Sequence, residues 1–518
     1  MKSRLLVSFA LGLALNDLRA ADTNAPATNT VVAPYILTPA APATPRINGA
    51  SVFGVRPGSP FLFTIPATGE RPMEFSAKNL PRGLKLDAKT GHITGSLKTK
   101  GEFAVTLGAK NALGTAEKKF HIVCGEQIAL TPAMGWNSWN HYGSSITQDI
   151  VLQNAKAMAE SGLIDHGWSY VNIDDAWQGE RGGQFHGLQG NKKFPDIKAL
   201  CDQIHALGLK FGIYSTPFET SYGRFPGSSS QNPEGKWSKP TSDKKVNVIK
   251  RTPPWAIAPY HFYTNDANQW ASWGVDYLKY DWNPIEAPET KEMADALRHS
   301  GRDIIFSLSN NLNPTNAPSV TPLANSWRTG GDIRASWQSM SSKGFGQDKW
   351  QRFASPGHWN DPDMLEIGVK KQDQPGLTPD EEYTHMSLWC LLSAPLLLGC
   401  DLSKADDFTL SLLSNDEVLA LDQDELGRQA TCVLKDGDVR VYEKELADGG
   451  RAVGVFNLDA TSVELKFNKF ASLGLVGKQT VRDLWRQKDV VTVDTAKDSL
   501  PLTIPVHGVM LYKFTAVK

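Results

Sequence analysis

Cysteine, net charge and long apolar runs are all scarce in this chain, and each shortage closes off a class of function. Only five cysteines occur in 518 residues (Cys124, Cys201, Cys390, Cys400 and Cys432), and none sits in a CxxC or CxxH spacing. That argues against a structural zinc site, and the odd count leaves at least one thiol free. Cys201 and Cys390 fall in helix-like apolar patterns, where a small buried thiol is the expected state. Lys and Arg number 54 against 55 Asp and Glu, a formal net charge of −1. Such a balance gives no electrostatic footprint for nucleic acid or an anionic membrane. Beyond the N-terminus no run approaches roughly 18–20 uncharged apolar residues, so membrane insertion is not expected. No HExxH, Ca²⁺-loop or phosphate-loop pattern occurs either, and chemistry without metal or cofactor is expected. What the chain does have is ordinary globular composition, 41% hydrophobic and 21% charged, with 15 Trp. Tryptophan is a preferred platform for stacking on the apolar faces of sugars.

The first 21 residues, MKSRLLVSFALGLALNDLRAA, combine a short basic start at Lys2 and Arg4 with an apolar stretch over Leu5–Leu15. This reads as an export signal, with Ala20 offering a small residue before the cut. A periplasmic or extracellular location follows as the expectation. Residues 22–45, rich in Ala, Thr, Pro and Asn, read as a linker.

At 518 residues the chain exceeds the usual span of one domain, and its patterning divides it into three. Residues 46–125 alternate in short strands with frequent turns, which suggests an immunoglobulin-like β-sandwich acting as spacer or docking module. Residues 126–410 cycle between short apolar runs ending in polar residues and amphipathic helical segments. The run-ends are AMGWNSWN, YVNIDDAW, KFGIYST, DYLKYDWN, IIFSLSN, NSWRTGGD, HWNDPDM and PLLLGCD. Eight strand–helix cycles predict a (β/α)₈ TIM barrel. The competing doubly wound sheet would need a glycine-rich phosphate turn, which follows no strand here. Residues 411–518 return to strands and predict a C-terminal antiparallel β-sandwich.

Catalytic groups of such barrels lie at the C-terminal strand ends. Here those ends collect Trp136, Trp139, Asp174, Asp175, Tyr214, Lys279, Asp281, Arg328, Asp332, Asp361 and Asp363. One buried aspartate could simply cap the following helix. Six on several strands, beside Lys, Arg and Trp, are costly as structure alone and match the paired carboxylates of glycoside hydrolysis.

These motifs resemble the α-galactosidase (melibiase) family, glycoside hydrolase family 27. AMGWNSWN, NIDDAW, KFGIY, YLKYDW, WRTGGDI and WNDPDML occur in the family's order, followed by LLLGCDLS and NDEVLALDQDELG. The N-terminal run LPRGLKLDAKTGHITGSLKTKGEFAVTLGAKNALGTA resembles the Ig-like domains that precede many bacterial glycosidases. The resemblance implies a retaining exo-glycosidase with a carbohydrate substrate. Asp281 matches the nucleophile and Asp332 the general acid/base, a pair expected about 5–5.5 Å apart. Lys279, two residues before Asp281 and so on the same strand face, would bind hydroxyls and help keep Asp281 ionised. Asp174 and Asp175 match the pair that grips O4 and O6 of galactose. Since adjacent strand residues point to opposite faces, a bend must aim both inward. Trp136 and Trp139 match the aromatic wall, Tyr214 is expected to line the pocket, and Arg328 fits a contact to the 2-hydroxyl. Asp363 is expected at the pocket rim near the acid, with Asp361 supporting its loop.

Three departures from the family pattern bear on function. Ala176 stands where many members have Cys, and Asn283 and Tyr222 stand where others form an active-site disulfide, so that bridge is missing. Ser309 replaces the Glu that holds O2 in animal-like members, as in α-N-acetylgalactosaminidases, but Leu312 replaces the small residue those enzymes need. An insertion over 228–262, carrying Trp237, Pro253, Pro254, Trp255 and Tyr260, is either a surface elaboration or a lid. α-N-acetylgalactosaminidase and β-L-arabinopyranosidase activities remain alternatives to α-galactosidase. A carbohydrate-binding protein on a dead barrel would be expected to lack one carboxylate, whereas Asp281 and Asp332 are both present. No oligomer interface is legible.

Overall fold

Eight short parallel strands, one at each of the eight predicted run-ends, curl into a barrel. They are β1 (Met134–Asn137), β2 (Tyr170–Asn172), β3 (Lys210–Ser215), β4 (Tyr277–Asp281), β5 (Ile305–Ser309), β6 (Ser326–Arg328), β7 (Trp359–Asp361) and β8 (Leu396–Leu398). Each pairs with its chain neighbour from β1 to β7, and β8 pairs back on β1. The ring is closed by Leu365, just after β7, which bridges Leu398 in parallel. The computed structural model describes residues 35–239, 255–369 and 376–517. The predicted export signal and the first part of the linker lie outside the described residues.

Near-continuous burial along β3 and β5 follows from a parallel sheet covered on both sides. Close packing also explains Gly135 in the first motif, where an added Cβ would lie 2.2 Å from the Tyr170 carbonyl oxygen. Amphipathic helices return the chain between strands, among them α1 (Gln148–Glu160), α2 (Ile197–Ala206), α3 (Tyr263–Trp273) and α4 (Ala287–His299). α5 (Pro379–Leu392) differs from these in being buried almost throughout. It begins with a Thr378/Glu381 capping box. Its second face is covered by the C-terminal domain: Trp485 donates its indole N–H to Ser387 at 2.9 Å, and Thr384 donates to the His507 carbonyl at 2.6 Å.

That C-terminal domain stacks a six-stranded antiparallel sheet on a two-stranded one, with Val441, Val455, Phe470, Val481, Ile504 and Phe514 between them. The helix Asp407–Leu413 runs across the point where the sequence changes character, and the sheet opens only at Thr431. The end of the predicted linker lies on the fold. Tyr35 stacks on Tyr383 with ring centroids 5.5 Å apart, and Tyr383 donates to the Tyr35 carbonyl at 2.9 Å.

The N-terminal module has a four-stranded and a three-stranded sheet around Phe61, Phe75, Ile93, Val105, Phe120 and Ile122. It packs against the N-terminal end of the barrel. Phe53 packs under the Lys210 ammonium at 4.3 Å, and Lys210 is the first residue of β3. Thr64 donates to the Gly208 carbonyl at 2.7 Å, and Arg56 pairs with Asp303, at the foot of β5, at 2.6 Å. Both members of that pair are largely shielded, with side chains 14% and 16% exposed. Arg56→Ala would remove the ionic partner of Asp303, which keeps the backbone N–H of residue 56 and the Ser59 hydroxyl, and should cost about 1–2 kcal/mol of stability. Thermal unfolding should register this loss while KM, set at the other end of the barrel, stays unchanged.

Among the described residues no helix is long and apolar enough to cross a membrane. All five cysteines are free thiols, four of them buried.

Candidate active site

The carboxylates gather at the C-terminal rim because each strand stops there and its last residues turn inward. Asp281 ends β4, level with Ser309 at the end of β5. Tyr214 on β3 donates its hydroxyl to Asp281 Oδ2 at 3.1 Å, so it holds this carboxylate as well as lining the pocket. Oδ1 of Asp281 has no protein partner although it is shielded from solvent. An aspartate oxygen left with free lone pairs in a dry pocket is a group able to attack. Lys279 sits two residues earlier on the same face and pairs with Asp174 Oδ2 at 2.7 Å.

The bend required after β2 is present. The strand ends at Asn172, and Ala176 takes the left-handed conformation at φ 89°. Asp174 is fixed by Lys279 and by Asn137 Nδ2, also on Oδ2, at 2.9 Å, while Ser138 Oγ accepts the Asp174 N–H at 3.0 Å. Its Oδ1 accepts the Asp175 N–H at 2.8 Å. Asp175 has a different environment from its neighbour. It is wholly buried, and its carboxylate accepts bonds from Ala176 N at 2.8 Å, Gln178 Nε2 at 3.0 Å, Ser221 Oγ at 2.8 Å and Gly223 N at 2.7 Å. Burial nonetheless leaves this carboxyl above its ordinary pKa, because the donors only partly offset the lost water.

On the opposite side Arg328, the last residue of β6, is buried with its guanidinium 2.8 Å from Asp363 and 3.2 Å from Asp332. The Asp332 side chain is 85% exposed and projects at the mouth. Asp363 lies under it instead of at the rim, buried and with φ 99°. It accepts the Ile333 N–H at 2.7 Å, and Trp389 on α5 donates to its carbonyl at 2.7 Å. A left-handed non-glycine backbone held by fixed partners is the form in which strain is stored at functional sites. Here it anchors the residue that follows Asp332. Asp361 accepts the Asp363 N–H at 2.8 Å and supports that turn.

Trp136 is wholly buried and donates to the Cys400 carbonyl at 2.7 Å, which makes it barrel packing. Trp139, at the head of the next loop, is half-buried. Ser309 is buried beside Asp281, and Leu312 is wholly buried with its N–H on the Arg328 carbonyl at 2.8 Å. Residues 240–254 of the insertion, with Pro253 and Pro254, lie outside the described residues. Of the remainder, Trp237 donates to Thr220 Oγ1 at 2.9 Å and Trp255 to the Ser221 carbonyl at 3.1 Å. Asn137, Ser138, Gln178 and Ser221 are the polar contributors that the sequence reading missed. Asn137 and Ser138 stand inside the quoted AMGWNSWN motif, and period-2 geometry places Asn137 at the strand end, but their partners are distant in sequence.

The electrostatics separate the two catalytic candidates. Burial raises Asp281 to about 7, helped by the charges of Asp174 and Asp332 and opposed by Lys279 and Arg328. Asp332 moves the other way: some desolvation is outweighed by Arg328 and Lys279, which hold it below the ordinary carboxylate value. Among the described residues no three His, Cys, Asp or Glu side chains are placed to hold a metal ion.

A parallel barrel with two electrostatically distinct aspartates among Lys, Arg, Tyr and further Asp side chains at its C-terminal rim is the architecture of a glycoside hydrolase. Comparison with known proteins gives the family. The model described as Alpha galactosidase A matches residues 131–250 and 253–424, the Alpha galactosidase C-terminal beta sandwich domain matches 436–514, and an Ig domain model matches 44–125. Alpha-galactosidase 2 of Arabidopsis thaliana is 38% identical over 399 residues, 76% of this chain and 91% of the relative. Alpha-galactosidase A of Cellvibrio japonicus is 33% identical over 75% of this chain and 93% of its own. Among solved structures, a Bacteroides fragilis protein assigned as an α-galactosidase/melibiase superposes with TM-score 0.81 at 33% identity, over 91% of this chain and 98% of its own. The chain belongs to the α-galactosidase family, glycoside hydrolase family 27, and is a glycoside hydrolase.

Proposed function

We propose that the protein is an exported, retaining exo-glycosidase that releases terminal α-linked galactose by double displacement. The observation that carries this reading is the Asp281 carboxylate, shielded and fixed by Tyr214 beside the Lys279–Asp174 pair, facing an exposed Asp332 on Arg328. Relatives named α-galactosidases from plants, an amoeba and a bacterium support the substrate. Asp281 attacks the anomeric carbon as the glycosidic bond breaks, and Asp332 gives its proton to the departing oxygen. Water then attacks the glycosyl ester, Asp332 takes the water's proton, and Asp281 leaves as carboxylate with the sugar free. Asp174 and Lys279 bind ring hydroxyls, Trp139 offers a stacking face and Arg328 orients Asp332. In the empty pocket Asp332 is ionised at neutral pH. A bound glycan that covers it removes its water, and its affinity for the proton needed in the first step rises.

The test is hydrolysis of p-nitrophenyl α-galactoside, α-N-acetylgalactosaminide and β-L-arabinopyranoside, with proton NMR of the first-formed sugar. Preference for the first, with α-galactose released before mutarotation, is the expected result; β-galactose would overturn retention. A second reading, β-L-arabinopyranosidase, is favoured by one observation. The Geobacillus stearothermophilus enzyme of that activity superposes as well as the Mortierella vinacea α-galactosidase I, with TM-scores of 0.61 and 0.62 and 30% identity each. Leu312 in place of a smaller residue argues against the N-acetylated sugar.

The pH dependence follows from Asp281, which must be ionised to attack. On an activated aryl galactoside, whose leaving group needs no proton from Asp332, kcat/KM should fall as pH drops below about 7, the value to which burial lifts this group. Lys279 lowers that value, so Lys279→Met should move the acid limb upward by roughly one pH unit or more. At pH 7 a rise of one unit cuts the ionised fraction of Asp281 about fivefold, and kcat/KM should fall by at least that much, any lost hydroxyl contact adding to it.

A further inference from the structure

The family's active-site bridge is missing here, yet the loop it would tie, residues 219–225 after β3, is held from two sides. On the inner side Ser221 Oγ and the Gly223 N–H both bond the buried Asp175 carboxylate. The Asp175 N–H bonds Asp174, and Asp174 in turn pairs with Lys279. On the outer side the indole of Trp255, which is 5% exposed, donates to the Ser221 carbonyl at 3.1 Å. Within the loop Ser221 Oγ also accepts the Phe225 N–H at 3.0 Å. Every polar atom of Ser221 outside its own N–H therefore takes part, and that N–H bonds the Phe225 carbonyl at 2.8 Å.

Resting on the glycosidase reading above, we propose that Ser221 and Trp255 are positioning residues that replace a covalent tie with a hydrogen-bonded clamp. The clamp fixes Asp175 and, through its peptide, the Asp174 carboxylate that receives substrate hydroxyls. The clamp acts on Asp174 by hydrogen bond, whereas Asp281 feels Asp174 and Lys279 only through their charges, which the clamp leaves in place, and its own oxygen is held by Tyr214. Loosening the clamp therefore weakens the grip on unreacting hydroxyls, a contribution made equally in ground and transition states. Such a loss raises KM and leaves kcat.

The experiment measures kcat and KM on p-nitrophenyl α-galactoside, and galactose inhibition, for wild type, Ser221→Ala, Ser221→Thr and Trp255→Phe. Ser221→Ala and Trp255→Phe should each raise KM and the galactose Ki by about three- to tenfold, the worth of one or two hydrogen bonds. Their kcat should stay within about twofold of wild type. Ser221→Thr keeps the hydroxyl and should restore KM. Unchanged KM in both variants, or a fall in kcat alone, overturns the clamp. A threonine variant as impaired as the alanine overturns it too, since packing would then explain the loss. An inactive wild type is a different failure, that of the glycosidase reading. Circular dichroism and thermal unfolding of each variant confirm that the altered constants belong to folded protein.

Discussion

Asp281→Asn should keep the fold and lose turnover by about 10⁴-fold or more, because the amide cannot form the glycosyl ester. The substitution is close to isosteric, and the site tolerates a neutral group there, since burial already lifts the acid to about 7. Galactose binding should survive. Asp281→Gly adds a sharper readout. It opens space at the attacking position, and azide entering from that side should displace the leaving group of an activated substrate to give the β-galactosyl azide. An α-azide, or turnover near wild type, would remove Asp281 from the nucleophile's place.

Asp332→Gly should show the complementary behaviour. Loss of a general acid costs about 10²–10⁴-fold when the leaving group needs a proton, as in an oligosaccharide. An activated aryl galactoside leaves unaided, so its first step should be spared and the glycosyl-enzyme should accumulate. Azide, needing no general base, should then attack that intermediate and yield the α-galactosyl azide at an increased rate. Equal losses on both substrate types, with no azide product, would mean that Asp332 holds the site together instead of moving a proton. The exposure of its side chain at the mouth and its having one ionic partner among the described residues, Arg328, favour the catalytic role.

The barrel was legible because parallel strands buried on both faces write themselves as short apolar runs, and every run-end proved to carry a barrel strand. The positions of Asp281, Lys279 and Arg328 followed from period-2 geometry at those ends. Which partners each carboxylate takes did not follow. Asp174 and Asp175 are adjacent in sequence, chemically identical and both buried, but residues 221–223 donate to the second while Lys279 and Asn137 hold the first. Asp363 read as a rim residue for a similar reason. Its role depends on a left-handed backbone and on an indole from α5, and neither leaves a trace in local spacing. Trp136 and Trp139 likewise carry the same letter, and only the third dimension shows the first wholly buried as packing and the second half-buried. The docking of 35–45 on Tyr383 escaped notice because Ala- and Pro-rich composition describes flexibility in isolation, not a surface waiting across the fold.

The five free thiols have a consequence for how this enzyme can be made and handled. With no sulfur–sulfur bond in the native structure, folding needs no oxidant, no isomerase and no selection among pairings. The chain can reach its native state in a reducing or an oxidising compartment, and reductants added to an assay leave its covalent structure as it was. Its resistance to unfolding rests wholly on packed surface and on clamps such as the one at Ser221, which re-form by themselves each time the chain refolds.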